Sequence, residues 1–263
     1  MSILEKIVKA KRADVEKLKI SKPITSLEKS KFFEVKTISL ENSLTDKDGY
    51  GVIAEFKRQS PSRGIINPAA LVEDVCKAYF NSGASAVSVL TNNEFFGGSS
   101  EDLISARKIC FGPILRKEFI IDEYQVIESK SLGADAILLI VDILTVSELR
   151  KLSELAASLN MDVLFEIHDN SGITKLPGEA KLIGINSRNL GNFRIDMDIL
   201  KKTITKLPES GIKIAESGIH SAEILTELRR LGFNGFLVGE LFMRETDPGK
   251  ACYEFISKIK KLK

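Results

Sequence analysis

The chain has 263 residues, 43% of them hydrophobic and 28% charged, with 38 Lys and Arg against 36 Asp and Glu for a net charge of +2. That composition fits an ordinary globular protein and excludes a disordered or membrane-embedded one, while the near-neutral balance argues against bulk electrostatic binding of nucleic acid. Cys76, Cys110 and Cys252 lie far apart without CxxC spacing, which indicates neither a metal knuckle nor a disulfide framework and makes a reducing cytoplasm the expected compartment.

The first residues, Met1-Ser-Ile-Leu-Glu-Lys-Ile-Val-Lys-Ala-Lys-Arg12, read as an amphipathic charged helix with no apolar h-region or small-residue cleavage site. No run approaches the roughly 18 apolar residues of a membrane span. Residues 1–50 are expected to form a helical extension packed on the rest of a single domain, with Phe32 and Phe33 as apolar anchors that plug the bottom of a barrel or shelter its mouth.

From there a cadence of apolar run, polar loop and amphipathic helix repeats. Strand candidate Val52–Phe56 ends in charge: Glu55 and Lys57 share one face, opposite Phe56. An acid beside a base on a buried face reads equally as a structural ion pair or as the wall of a reactive site. The helix over Pro68–Ser82, opened at Asn67-Pro68, leads to a strand at Ala86–Leu90, and the helix over Asp102–Cys110 to a strand at Pro113–Arg116. Helix Glu123–Leu132, opened at Asp122, precedes strand Ala136–Val141; helix Val146–Leu159, opened at Thr145, precedes strand Asp162–Phe165. Strands at Leu182–Ile185, Ile212–Ala215 and Gly235–Val238 alternate with helices at Met197–Leu207, Ala222–Leu231 (opened at Ser221) and Gly249–Lys260. Gly83, Gly133 and Gly232 stand where a helix ends and the next strand begins, as left-handed C-caps do.

About eight such strands are the number that closes a parallel (β/α)8 TIM barrel, although a doubly wound open sheet shows the same alternation. The strand ends favour the barrel. Glu55 and Lys57, Thr91, Lys117, Glu166, Asn186, Glu216 with Ser217, and Gly239 all follow their strands on the C-terminal side, where a barrel gathers its active site.

Lys117, between Arg116 and Glu118-Phe119, is either a surface lysine or a desolvated ammonium suited to acid or Schiff-base chemistry. Glu166 is either a helix-capping carboxylate or, among apolar neighbours that raise its pKa, a proton-transfer group near neutral pH. His168 beside it suggests a metal site, but with His220 as the only other histidine no ligand spacing supports one. Gly218 and Gly239 allow backbone N–H groups to approach a ligand, and Ser60 with Lys57 completes a cage for a phosphorylated small molecule. Asn186 and Arg188 either satisfy loop carbonyls or bind a second anion such as a carboxylate.

In order along the chain, Ile53-Ala-Glu-Phe-Lys-Arg-Gln-Ser-Pro-Ser62, Val89-Leu-Thr91 with Phe96-Gly-Gly-Ser99, Leu115-Arg-Lys-Glu-Phe119, Phe165-Glu166, Gly184-Ile-Asn-Ser-Arg-Asn-Leu190, Ala215-Glu-Ser-Gly-Ile219 and Leu237-Val-Gly-Glu240 resemble the indole-3-glycerol phosphate synthase family. The resemblance implies closure of 1-(2-carboxyphenylamino)-1-deoxyribulose 5-phosphate to indole-3-glycerol phosphate, with loss of carbon dioxide and water and with no metal or organic cofactor. It implies that Lys117 is the general acid at the ketose carbonyl, that Glu166 serves loss of the hydroxyl, and that Glu55 and Lys57 assist the dehydration, with Asn186 and Ser217 also catalytic. Phe96 and Phe119 would pack the aromatic ring, Arg188, Asn186 and Lys57 would hold the carboxylate or hydroxyls, and Ser60, Gly218 and Gly239 the phosphate; Leu190, Glu216 and Glu240 would complete the substrate contacts.

The chain departs from the family pattern at Glu118, where Asp is commoner and the longer side chain would change how Lys117 is placed, and at Leu241, where a small residue is commoner. A monomer is expected, making at most transient contact with other enzymes of the pathway and none with nucleic acid or membrane. The alternatives are an enzyme like phosphoribosylanthranilate isomerase and a non-catalytic barrel that binds a phosphorylated metabolite.

Overall fold

The computed structural model describes residues 3–188 and 195–262. Eight parallel strands close a barrel: β1 Val52–Phe56, β2 Ala86–Leu90, β3 Ile114–Lys117, β4 Ala136–Ile140, β5 Asp162–Ile167, β6 Leu182–Asn186, β7 Ile212–Glu216 and β8 Gly235–Val238. Each pairs with its sequence neighbours, and β1 shuts the ring by pairing with both β2 and β8. The (β/α)8 TIM barrel expected from the strand ends is the architecture found.

Period-two alternation divides the strands into two packed layers. Ile53, Leu115, Leu138, Leu164, Leu182, Ile214 and Leu237 fill the lumen. Phe56, Val89, Ile137, Phe165 and Ile185 point outward against the helices. With roughly 1.5–3 kcal/mol gained per large apolar side chain buried, register is strongly fixed, because a one-residue slip would exchange the layers. At the ends of β1, β3, β5, β6 and β7 the inward positions become Glu55, Lys117, Glu166, Asn186 and Glu216, so the barrel's own pleat aims them into its mouth.

Several boundaries differ from the sequence reading. β3 is displaced by one residue and takes in Lys117, while β5, β6 and β7 run on to include Glu166, Asn186 and Glu216. Their backbones are paired across the sheet, Ile140 to Glu166 and Asn186 to Glu216, which extends the strands past the apolar run. The helix expected from Asn67-Pro68 begins only at Val72, with Leu71 at the N-cap position. The Asn67 N–H is already committed to the Arg58 carbonyl, so that segment turns back on the β1 loop instead of winding. The helix expected at Asp102 starts two residues earlier, at Ser100, where the Ser99 hydroxyl accepts from the Asp102 N–H. Asp122, Thr145 and Ser221 cap their helices as expected, and Thr145 forms a full capping box with Glu148, an arrangement typically worth about 1 kcal/mol.

The N-terminal segment supplies α1 Ile3–Ser21, α2 Ile24–Leu27 and α3 Leu40–Thr45. Phe32 and Phe33 are only half-buried and do not form the bottom plug. Leu40 and Leu44 of α3 do, joining the lumen cluster at the strand starts, with Ser39 and the Glu41 N–H both donating to Asp162 at the foot of β5. Higher up, Val15 and Leu27 bury Tyr124 of helix Glu123–Leu132, and Ile7 joins the lumen cluster. These contacts bind the extension to both the foot and the side of the barrel.

Candidate functional site

The strand ends surround an open cavity of about 460 Å³. Glu55, Lys57, Lys117, Glu166, Asn186 and Ser217 all line it, as do Ser60, Phe96, Phe119, Arg188, Glu216, Gly218, Gly239 and Glu240. Leu190 lies outside the described residues. Thr91 is the strand-end residue that does not reach the cavity: it is buried on the outer side, donating to Glu118 and accepting from Arg116.

At the floor, the Lys117 ammonium donates to Glu166 Oε2 at 2.5 Å and to Glu216 Oε2 at 2.9 Å. All three are nearly enclosed, with side chains 12%, 3% and 1% exposed. Burial alone would lower the lysine pKa, but Glu166 and then Glu216 reverse this and hold it above its ordinary value, so it stays an ammonium. Its surface-loop reading is excluded by this enclosure.

The two carboxyls on it differ. Burial pushes Glu216 up to about 8, with Glu166 adding to the rise against the pull of Lys117. Glu166 goes the other way: burial would raise it, but Lys117 and His168 together hold it well below the usual range. The expectation that apolar neighbours raise Glu166 therefore fails, because Lys117 across the barrel and His168 two residues further along the chain outweigh its burial. His168 stands between Asp142, at 2.6 Å from Nδ1, and Glu166, at 3.2 Å from Nε2. Among the described residues no group of three or more His, Cys, Asp or Glu side chains is arranged to hold a metal ion.

On the β1 side, Lys57 donates to Glu55 Oε1 at 2.6 Å, both facing the cavity and both largely buried. A methyl group at Gly239 would lie 2.7 Å from that same oxygen, so glycine there makes room for Glu55. The equivalent clash is tighter at Gly184, whose added Cβ would lie 2.1 Å from Glu216 Oε1. Gly184 opens the Gly184–Leu190 motif, and its inward position on β6 is the sequence signal for this close approach.

The rim is cationic and polar. Arg188 donates to Ser62 Oγ at 2.8 Å and to Glu240 Oε2 at 3.2 Å, and Arg63 reaches Glu240 Oε1 at 2.8 Å. Asn186 Oδ1 accepts from the Arg188 N–H at 3.0 Å and fixes that turn. Ser60 lies in a short ribbon, Gln59–Ser60 against Gly64–Ile65, that projects over the cavity from β1. Ser217 and Gly218 are both left-handed, at φ 67° and 75°, and for Ser217 this is a costly conformation of the kind that clusters at functional sites. Phe96 and Phe119 form the apolar wall, their rings 6.2 Å apart. Arg63 and His168 are the lining or supporting groups to which the sequence reading assigned no role.

Glu118 turns away from Lys117. It accepts from Thr91 at 3.0 Å and the Phe119 N–H at 2.8 Å and pairs with Lys11 of α1 at 3.1 Å, so its extra length serves the extension, not the catalytic-type lysine. Cys76, Cys110 and Cys252 are buried in the outer layer, remote from the cavity lining.

Comparison with known proteins agrees with this geometry. Residues 4–255 match the family model described as indole-3-glycerol phosphate synthase. The chain is 40% identical to an indole-3-glycerol phosphate synthase of Bacteroides thetaiotaomicron, over 98% of both chains. It is 41% identical to one from Campylobacter jejuni subsp. doylei, over 95% of this chain and 98% of that one. Among solved structures, 3-hexulose-6-phosphate synthase from Salmonella typhimurium superposes with a TM-score of 0.63 at 12% identity, covering 80% of this chain and 99% of that one, a likeness of fold alone.

Proposed function

The chain belongs to the indole-3-glycerol phosphate synthase family, and from that premise we propose how its barrel mouth closes the indole ring. The activity is that of a carboxy-lyase of tryptophan biosynthesis acting on 1-(2-carboxyphenylamino)-1-deoxyribulose 5-phosphate. The observation that carries the reading of roles is the Lys117 ammonium, clamped by two carboxyls of opposite pKa shift at the floor of the cavity.

In this reading the anthranilate ring lies against Phe96 and Phe119, and the phosphate sits under Ser60, Gly218 and Gly239 with Lys57 close by. Arg188 and Asn186 hold the ring carboxylate, with Arg63 and Glu240 completing the rim. The ring carbon that bears the carboxylate attacks the ketose carbonyl as Lys117 gives its proton to the oxygen, and loss of carbon dioxide restores the aromatic ring. Lys117 regains a proton through Glu216. Ionised Glu166 then takes the proton from the carbon next to the nitrogen while the hydroxyl leaves as water, with the Glu55–Lys57 pair supplying the acid on that side and Ser217 fixing the turn beneath. Each proton transfer by a positioned group contributes typically ~10²–10⁴ in rate.

The isomerase-like alternative needs a cysteine base at a strand end, and all three cysteines are buried in the outer layer. The non-catalytic alternative predicts no turnover at all. Incubating the purified protein with the carboxyphenylamino-deoxyribulose phosphate and following indole fluorescence decides between them: a rising signal is expected, and none at micromolar enzyme overturns the reading. We further propose that residues 1–263 act as one domain and as a cytoplasmic monomer on this phosphorylated small molecule, which size-exclusion chromatography with light scattering tests for the oligomeric state.

A further inference from the structure

Two carboxyls share one ammonium at the floor of the mouth, and their surroundings are unequal. Glu166 has a cation at each oxygen: Lys117 Nζ at 2.5 Å from Oε2 and His168 Nε2 at 3.2 Å from Oε1. Glu216 has Lys117 at one oxygen only, 2.9 Å away. Its other oxygen is buried against the Gly184 backbone and finds no hydrogen-bond donor among the described residues. A buried carboxylate oxygen without a donor is costly, whereas a protonated one carries its own hydrogen.

The imidazole itself is constrained. Nδ1 lies 2.6 Å from Asp142 Oδ2, so both ring nitrogens face carboxylate oxygens, and a neutral ring would set a lone pair against one of them. His168 is therefore an imidazolium, and its displacement up to about 10, with burial opposing and Asp142 first in favour, agrees. Its Nε2 is buried and makes no aligned hydrogen bond among the described residues, so its hold on Glu166 Oε1 at 3.2 Å is that of a charge pair.

We propose that His168, held by Asp142, is a positioning residue that divides the roles of the two carboxyls on Lys117: it keeps Glu166 ionised as the base and leaves Glu216 as the carboxyl that carries a proton. The inference deepens the reading of this mouth as the site of ring closure and rests on it. His168 does not touch the cavity; it acts through Glu166 alone. The charged groups around it are Asp142 on the turn after β4, Glu166 on its own strand, and the adjacent Asp169, which is occupied in capping the turn Asn170–Ile173. Lys175, from that turn, is engaged by the Val141 carbonyl at 2.7 Å, and Lys117 lies beyond Glu166.

The test is a carbon-13 titration of the glutamate carboxyls, assigned with E166Q and E216Q, in the wild type, in H168Q and in D142N. In the wild type the high midpoint, about 8, should belong to Glu216, with Glu166 titrating below the ordinary 4.5. In H168Q the Glu166 midpoint should rise and that of Glu216 fall, each by about one pH unit or more, because the two carboxyls then compete evenly for Lys117. D142N, which leaves the site untouched, should move both the same way by less. The acid limb of the kcat profile should rise with the Glu166 midpoint while KM changes little.

Unchanged midpoints in H168Q, or a high midpoint assigned to Glu166, overturn the proposal, as does a lower kcat with an unmoved acid limb. The titration needs no turnover: if midpoints move as stated in a protein that closes no ring, the division of protonation stands and only the functional reading falls.

Discussion

Arg116 and Lys117 are consecutive residues of β3, both buried cations with carboxylate partners, and they face opposite sides of one sheet. On the outer face all three nitrogens of Arg116 are hydrogen-bonded: Nε to Thr91, Nη1 to Gln125 and Ser129, and Nη2 to Glu128 at 2.7 Å. On the inner face Lys117 meets two carboxyls, one of which retains an oxygen with no donor among the described residues, and all three line an open cavity. The outer constellation is complete and closed to solvent; the inner one is incomplete and open to a ligand. Burial of charge is common to both, so it is satisfaction, not burial, that separates a structural ion pair from a reactive one.

Substitution of each cation should break that contrast in opposite directions. Lys117→Met should lower turnover by ~10²–10⁴ while the melting temperature changes little. Normal turnover in that variant, in steady-state assays of folded protein, would show the inner ammonium to be structural. Arg116→Met leaves Glu128 buried without its cation and should cost ~3–5 kcal/mol of stability, read as a lower denaturation midpoint, with near-normal turnover in the molecules that remain folded. A stable variant without activity would reverse the assignment.

The sequence leaves the Glu55–Lys57 pair even between these two types; like Lys117 and its carboxyls, it faces the cavity. Glu55→Gln keeps the shape and one hydrogen-bond acceptor while removing the charge. It should reduce turnover ~10-fold or more with a small change in denaturation midpoint. The reverse pattern, a large loss of stability with turnover kept, would return the pair to a structural role.

How far the sequence could be read follows the range over which each signal acts. Alternation within a strand is local, and Val52–Phe56, Ala86–Leu90 and Gly235–Val238 are found where their apolar runs predict them. So are the caps at Asp122, Thr145 and Ser221, whose bonds span only two or three residues. Convergence of the strand ends could be inferred because a barrel gathers them whatever the loops do. What stayed hidden depends on partners far along the chain. Asp142 is 26 residues from His168, and Lys117 is 49 from Glu166 and 99 from Glu216. The apolar residues before Glu166 point to a raised pKa, whereas Lys117 across the barrel and the hold of Asp142 on His168 reverse it, and the collision that demands glycine at 184 involves a side chain one strand away.

The smallest effect is also the one that isolates a single carboxyl. Glu216, raised from 4.5 to about 8, binds its proton in the folded state over a window in which the unfolded chain has lost it. Stability from this group therefore falls as pH rises from 4.5 to 8. His168, raised from 6.5 to about 10, has the same sign: its contribution is full below 6.5 and is lost as pH rises through 10. Glu166, lowered, has the opposite sign and acts below 4.5, where protonation removes its contribution. Between 4.5 and 6.5 Glu216 alone of the three changes stability with pH. Urea midpoints of the wild type should decline across that interval, and Glu216→Gln, which cannot titrate, should flatten it and lessen the decline from 6.5 to 8 while leaving that from 8 to 10 intact. If the slope between 4.5 and 6.5 survives the substitution, the proton on the inner face is not on Glu216.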